Sequence, residues 1–314
     1  NCVFMLGLLG IFKYLTFFAG VTHSLFSLPK EVPQIALPVG ISFYTFQLLS
    51  YVIDVYRGEI QAQKKFWYLL LYASLFHQCI AGPIVRYQLV ADEIEHRRIR
   101  LDEFGQGIKR FSIGLAKKAV LANGCASVAD TLVPSLTADI MEIPAAGLWV
   151  GILFYALQIY LDFAAYSDMA IGMGLMVGFH YNENFDYPYI ANSVKDFWRR
   201  WHISLSTFFR DYVYIPLGGN RKGPRRTTIN LLVVWGLTGM WHGASWNYIL
   251  WGLYFFIFIF LENNFLSEKL KRLPGFVGHF YALAAVYFGW ILFRCEDLGN
   301  LGAILKSDRS HVVL

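Results

Sequence analysis

Residues 227–261 read TTINLLVVWGLTGMWHGASWNYILWGLYFFIFIFL, a run without one Asp, Glu, Lys or Arg. About 20 mostly apolar helical residues cross about 30 Å of hydrocarbon. The stretch 229–262 is therefore long enough for more than one membrane helix. The segment Met240-Trp241-His242-Gly243-Ala244-Ser245-Trp246-Asn247 interrupts it with small and polar side chains, so two pieces are expected. Irregular backbone at membrane depth is tolerated only where protein buries it or where it lines a watery cavity. The break thus points to an internal channel or cleft.

The rest of the chain agrees. Further spans are expected at 2–22, 35–53, 66–85, 108–128, 145–179 (long enough to be broken) and 277–293. Two other turn-rich segments, Ala81-Gly82-Pro83-Ile84 and Leu217 through Pro224, interrupt the pattern. Of 314 residues, 56% are hydrophobic and 16% charged; Phe, Tyr and Trp number 27, 19 and 9. Mean hydropathy is +0.43. A water-soluble fold of this size cannot bury that much apolar surface, and disordered, collagenous and disulfide-scaffold classes fail on the same figures. Long apolar runs without ten-residue alternation favour helices over a β-barrel. The fold class is all-α, a polytopic integral membrane protein.

The net charge of +5 comes from short basic groups between apolar runs, as loops on the cytoplasmic side carry them, and not from a nucleic-acid-binding face. The segments Arg57–Lys65, Arg86–Lys118 and Lys195–Arg226 are placed on that side. Within the last, 195–226 reads as an interfacial amphipathic segment with a basic loop. The chain begins with Asn, without a cleavage signature, and is expected to start partway through a longer protein. Cys2, Cys79, Cys125 and Cys295 are far apart in sequence and have no metal-ligand spacing, so no metal is expected. Nucleotide-phosphate loops, HExxH and GxSxG are missing from the sequence.

His242 is the most informative residue. A helix from Arg226, rising 1.5 Å per residue, places it roughly 24 Å along, near or past the midplane. Ionisable groups there are costly and are functional candidates by default. Imidazole suits a general base; the competing reading is a histidine that hydrogen-bonds two helices together. Read as one helix, 195–212 places Trp198, His202, Ser206 and Arg210 on one face. The alternative is an interfacial anchor helix. Gln158, Asp162 and Tyr166 share a further face, with Asp168 nearby; acids there either pair with cations or assist chemistry. His23, His77, His96, His180, His279 and His311 have no comparable context.

Several separated motifs, in order, carry a resemblance over about residues 35–295. They are Pro38-Val39-Gly40-Ile41-Ser42-Phe43, Gly82-Pro83-Ile84, Tyr166-Ser167-Asp168-Met169-Ala170-Ile171-Gly172, the run Asp196–Arg221 and Trp241-His242-Gly243. Within the run, Arg200-Trp201-His202-Ile203-Ser204-Leu205-Ser206 and Arg210-Asp211-Tyr212 are the densest match. The chain resembles the membrane-bound O-acyltransferase (MBOAT) family, in the bacterial branch serving alginate O-acetylation and teichoic acid D-alanylation. Leu217-Gly218-Gly219-Asn220-Arg221 has the alginate-type form, while Phe209 stands where Trp is more usual.

The resemblance implies a single MBOAT-like domain over 1–314, truncated at one or both ends. It implies a ring of helices around a central tunnel, with a cytoplasmic donor entrance and an outward acceptor site. It makes His242 catalytic and His202 its partner, orienting the donor or stabilising charge on the carbonyl oxygen. Trp241, Asp196, Trp198, Arg200, Ser206, Arg210, Asp211, Asp162, Tyr166, Asp168 and Asn247 are expected to support or bind donor and acceptor. The expected reaction is acetyl transfer from a thioester such as acetyl-CoA, with no tightly bound cofactor. The acceptor is a hydroxyl of an exported polysaccharide such as alginate, reached directly or through a periplasmic or extracellular acyltransferase. The location is the bacterial inner membrane. D-alanyl transfer, a proton-coupled transporter and a non-catalytic scaffold are the alternatives.

Overall fold

The computed structural model describes residues 1–26, 35–78, 82–134 and 143–296. Cys79, Ala81 and His311 lie outside them. Every regular element among the described residues is helical: α1 (Cys2–Phe26), α2 (Ile41–Arg57), α3 (Phe66–Ala73), α4 (Tyr87–His96), α5 (Leu101–Ala116), α6 (Asn123–Leu132), α7 (Ala145–Met176), α8 (Val194–Arg200), α9 (Ile203–Phe209), α10 (Pro224–His242), α11 (Trp246–Leu261), α12 (Ser267–Arg272) and α13 (Gly275–Arg294). Among the described residues, four helical stretches are long and apolar enough to cross a membrane: Cys2–His23, Ala145–Met176, Trp246–Arg272 and Gly275–Arg294.

The stretch 145–179, long enough to be broken, is continuous in α7. The 32 residues of α7 form one α-helix, roughly 48 Å long at 1.5 Å per residue. That exceeds the hydrocarbon thickness, so α7 either tilts or extends beyond it. α5 and α6, joined through the π-turn Lys117–Ala122, pack along it. Close approach is built in: a Cβ on Gly172 would meet the Gly107 carbonyl oxygen and the Phe111 nitrogen at 2.7 Å. The expected span at 66–85 is shorter than predicted. α3 stops at Ala73, and the chain turns through Phe76–Gln78, where His77 and Gln78 are buried.

The break in 227–261 falls where the sequence placed it. α10 ends at His242, Gly243 and Ser245 are extended, and α11 starts at Trp246. Around this break lies a dense aromatic core. The Trp198 ring meets Trp235, Trp251 and Phe255 at centroid distances of 5.2, 5.3 and 4.8 Å. Trp251, Phe255 and Trp290 are fully enclosed beside it. Rings in edge-to-face contact gain more than their area burial, so the core holds α8, α10, α11 and α13 in fixed relation.

Candidate active site

The segment that carries His202 departs from a single helix. Ser193 caps α8 by accepting the Asp196 N–H at 3.0 Å, and Glu262 accepts the Val194 and Lys195 N–H at 2.6 and 3.0 Å. The first turn of α8 is thereby satisfied from two sides. After Arg200 the chain turns: Trp201 is extended, and His202 takes a left-handed conformation with φ 45° and ψ 56°. Such a conformation in a non-glycine residue costs on the order of 1–3 kcal/mol and persists only when neighbours enforce it. Here the enforcer is Asn184, whose carbonyl accepts the Ile203 N–H at 2.9 Å and whose side-chain oxygen accepts the Ser204 N–H at 3.1 Å. α9 resumes after the turn. The expected continuous face of Trp198, His202, Ser206 and Arg210 is therefore wrong as helix geometry, yet all four line one cavity of about 410 Å³.

His242 lines that cavity as well. Its ring lies edge-on to Trp241, Trp251 and Phe293 at 5.0, 4.9 and 5.2 Å. Neither ring nitrogen has a hydrogen-bond partner among the described residues, so the helix-linking role of this histidine has no contact to rest on here. The backbone before it is held firmly. The Tyr14 hydroxyl donates to the Met240 carbonyl at 2.5 Å, and the Lys13 amine donates to the Trp241 carbonyl and, at 3.0 Å, to Ser42 Oγ. These groups occupy the last carbonyls of α10, where the helix dipole favours a cation.

A second cavity of about 330 Å³, lined by Gln158, Asp162, Tyr166 and Trp241, also has His242 and Trp201 in its wall. His242 thus borders both spaces. The first carries Lys195, Arg199 and Arg210, all basic; the second carries the Asp162 carboxylate. Asp162 accepts from Lys118 Nζ at 2.8 Å and from Gln158 at 3.2 Å, leaving its buried Oδ1 without a partner among the described residues.

Other expected site residues are engaged in ion pairs and hydrogen bonds. Asp168 pairs with Arg110 at 3.0 Å and Lys117 at 2.5 Å, in a separate polar cavity. Asp196 pairs with Arg199 and, at 3.1 Å, with Arg200, which reaches on to Asp186. Asp211 joins Arg86 at 2.5 Å and Arg210 at 2.6 Å. Burial alone would raise the Asp211 carboxyl, but the Arg210 and Arg86 guanidiniums outweigh it and hold it below its ordinary value. Arg210 therefore borders the first cavity with its guanidinium already engaged. Asn247 donates to the Leu292 and Phe293 carbonyls at 3.3 Å and ties α11 to α13. Among the described residues no group of three or more His, Cys, Asp or Glu comes together as a metal site.

Sequence reading missed Lys13, Asn184 and Glu262. Lys13 carried a signal, a cation inside an otherwise apolar span. Asn184 carried none, because its importance arises from contacts distant in sequence.

The MBOAT, membrane-bound O-acyltransferase, family profile matches residues 64–298. Over 295 residues the chain is 41% identical to the probable alginate O-acetylase AlgI of Azotobacter vinelandii, covering 92% of this chain and 58% of that protein. It is 33% identical to the peptidoglycan O-acetyltransferase of Helicobacter pylori over 95% of this chain and 62% of that one. To the teichoic acid D-alanyltransferase of Bacillus subtilis it is 29% identical over 76% and 62%. The chain thus spans about three-fifths of the length of these relatives. The match to the family and the four described helices long and apolar enough to cross a membrane make it a multi-pass protein of the bacterial inner membrane, and the chain belongs to the membrane-bound O-acyltransferase family.

Proposed function

We propose that the intact protein transfers acetyl groups from a cytoplasmic thioester, acetyl-CoA in the simplest case, towards hydroxyls of an exported polysaccharide of the alginate kind. The observation that carries this reading is His242, with neither ring nitrogen hydrogen-bonded among the described residues, in the wall of two cavities, one bordered by Lys195 and the other by Asp162. Lys195, whose amine bonds the neutral Asn263 side chain, puts a cation on the first cavity that suits an anionic phosphate-bearing donor, and the basic loop Arg221–Arg226 adds positive charge to the same segment. The second cavity, with Asp162, Gln158 and Tyr166, suits a hydroxyl-rich acceptor or the residue of a partner that carries the acyl group outward. In this reading the two cavities are the halves of one tunnel, 1–314 forms one transmembrane domain, and 195–226 lies at the cytoplasmic interface.

The chemistry is a displacement at the thioester carbonyl. His242 takes the hydroxyl proton as oxygen attacks carbon, the carbon–oxygen bond forms, and the carbon–sulfur bond breaks. The proton then leaves with the thiolate. A positioned base contributes about 10²–10⁴-fold, and the aromatic walls keep water from the thioester.

The test is the chemical identity of the modified product. Surface polysaccharide from cells with and without the intact protein is analysed for ester-linked acetyl and D-alanyl groups. Loss of acetyl esters alone supports the proposal. Loss of D-alanyl esters instead overturns the acetyl assignment, and loss of neither overturns the acyltransferase reading.

A further inference from the structure

Asn184 is fully buried, as is His202 at 2% exposure, and the bond between them has a direction that the surrounding donors fix. Asn184 Oδ1 lies 3.1 Å from the backbone nitrogen of Ser204 and 3.2 Å from Nδ1 of His202. A backbone N–H can only donate, so the side-chain atom facing Ser204 must be the amide oxygen. Ser204 Oγ adds a second constraint. It accepts the Ile84 N–H at 2.9 Å, and its own proton goes to the nearer of two facing atoms, Asn184 Oδ1 at 2.9 Å and not His202 Nδ1 at 3.5 Å. The amide nitrogen is taken up on the other side, donating to Ser167 Oγ on α7 at 3.2 Å.

An amide oxygen accepts only. Two lone pairs facing each other at 3.2 Å in a dry interior would repel, so Nδ1 of His202 carries the proton. In the neutral ring the other nitrogen, Nε2, is then bare. Nε2 is buried and has no hydrogen-bond partner among the described residues. It is the one polar ring atom that His202 can offer a molecule in the cavity it shares with His242.

We infer that Asn184 is a positioning residue that locks His202 in the Nδ1–H tautomer, making its Nε2 a hydrogen-bond acceptor in the first cavity. The inference rests on the acyltransferase reading for its functional part, and it narrows the role of His202. A neutral ring held this way cannot donate to a developing carbonyl oxyanion. It orients a donor group of the substrate, an amide N–H or a hydroxyl, while His242 handles the proton in transit. The same Asn184 side chain and carbonyl enforce the left-handed turn at His202, so tautomer and ring placement have one origin.

The experiment uses the intact protein with ¹⁵N-labelled histidine rings, with His202 resonances identified by their loss in His202→Gln. The expected spectrum shows a protonated Nδ1 and a bare Nε2 for His202. Asn184→Asp retains an acceptor and is expected to keep that tautomer and transfer activity within a few-fold. Asn184→Leu removes the acceptor and is expected to mix the tautomers and lower kcat by about 10-fold or more, by analogy with the loss of outer hydrogen-bond partners of metal-bound histidines. The opposite tautomer in the parent protein overturns the inference. Equal loss in Asp and Leu variants with the tautomer unchanged also overturns it, because that is the mark of packing alone. A parent protein that transfers no acyl group refutes the proposed function, while the spectrum still decides the tautomer.

Discussion

Replacing Glu262 with Ala removes the carboxylate that closes the first turn of α8, the helix that brings Trp198 into the aromatic core. Glu262 is 1% exposed, and Val194, whose N–H it accepts at 2.6 Å, is 0% exposed. The second bond, from the Lys195 N–H at 3.0 Å, lies nearer the surface. A hydrogen bond to a charged group contributes about 1.5–3 kcal/mol. Water replaces part of the Lys195 bond and none of the Val194 bond. The Ala variant should therefore lose about 3 kcal/mol, and Glu262→Gln, which keeps one acceptor oxygen, about half of that. Ser193→Ala is the internal reference. It removes the cap bond to the Asp196 N–H, a loss of about 1 kcal/mol. Thermal unfolding of the detergent-solubilised protein, followed by tryptophan fluorescence, gives the order: Glu262→Ala lowest, then Glu262→Gln, Ser193→Ala and the parent. A Glu262→Ala protein as stable as Ser193→Ala would refute the reasoning that this carboxylate anchors the helix.

Three further expectations follow from other parts of the molecule. At Gly172, Ala gains up to about 1 kcal/mol in helix propensity but pushes a methyl against the α5 backbone, an overpacking cost of about 1–3 kcal/mol; the variant should melt below its parent. Gly236→Ala, with open space around it, should melt at or above the parent, and the reverse order would refute the close-approach account. Lys13→Met leaves the Trp241 carbonyl without its amine donor, an expected loss of about 1–3 kcal/mol, with lower acyl transfer at matched abundance; unchanged stability and transfer would show that this contact does not hold the His242 backbone. The His180 imidazole bonds Glu93 at 2.6 Å, and that carboxylate raises its pKa above the ordinary 6.5. Its stabilisation is full below 6.5 and fades as pH rises through the folded-state value. Amide exchange in residues 177–193 should therefore accelerate over that window, after correction for intrinsic base catalysis, and His180→Gln should remove the dependence.

Much of this architecture was legible from hydropathy and punctuation. The helix from Arg226 to His242 is continuous as the depth argument required, and the Gly243–Ser245 interruption stands where small residues follow a uniform apolar run. What failed was local periodicity at 195–212. Its spacing fits a helix, but the turn at His202 is imposed by Asn184 from outside the segment, and no period within the segment records that contact. The acids of α7 divide for a similar reason. Asp162 and Asp168 look alike in sequence, and only the neighbouring helical stretch decides that Arg110 and Lys117 engage Asp168 while Lys118 leaves one oxygen of Asp162 without a partner among the described residues. The short α3 reflects buried polar side chains, His77 and Gln78, that end an apolar run before it spans.

The central claim is that His242 moves the proton during acyl transfer. The most direct measurement is the single-turnover rate of acetyl transfer by the intact protein in its native membrane, with His242→Gln compared at equal abundance and equal thermal stability. The account predicts a fall of about 10²–10⁴-fold in rate with donor binding retained; a His242→Gln protein that transfers at the parent rate would contradict it.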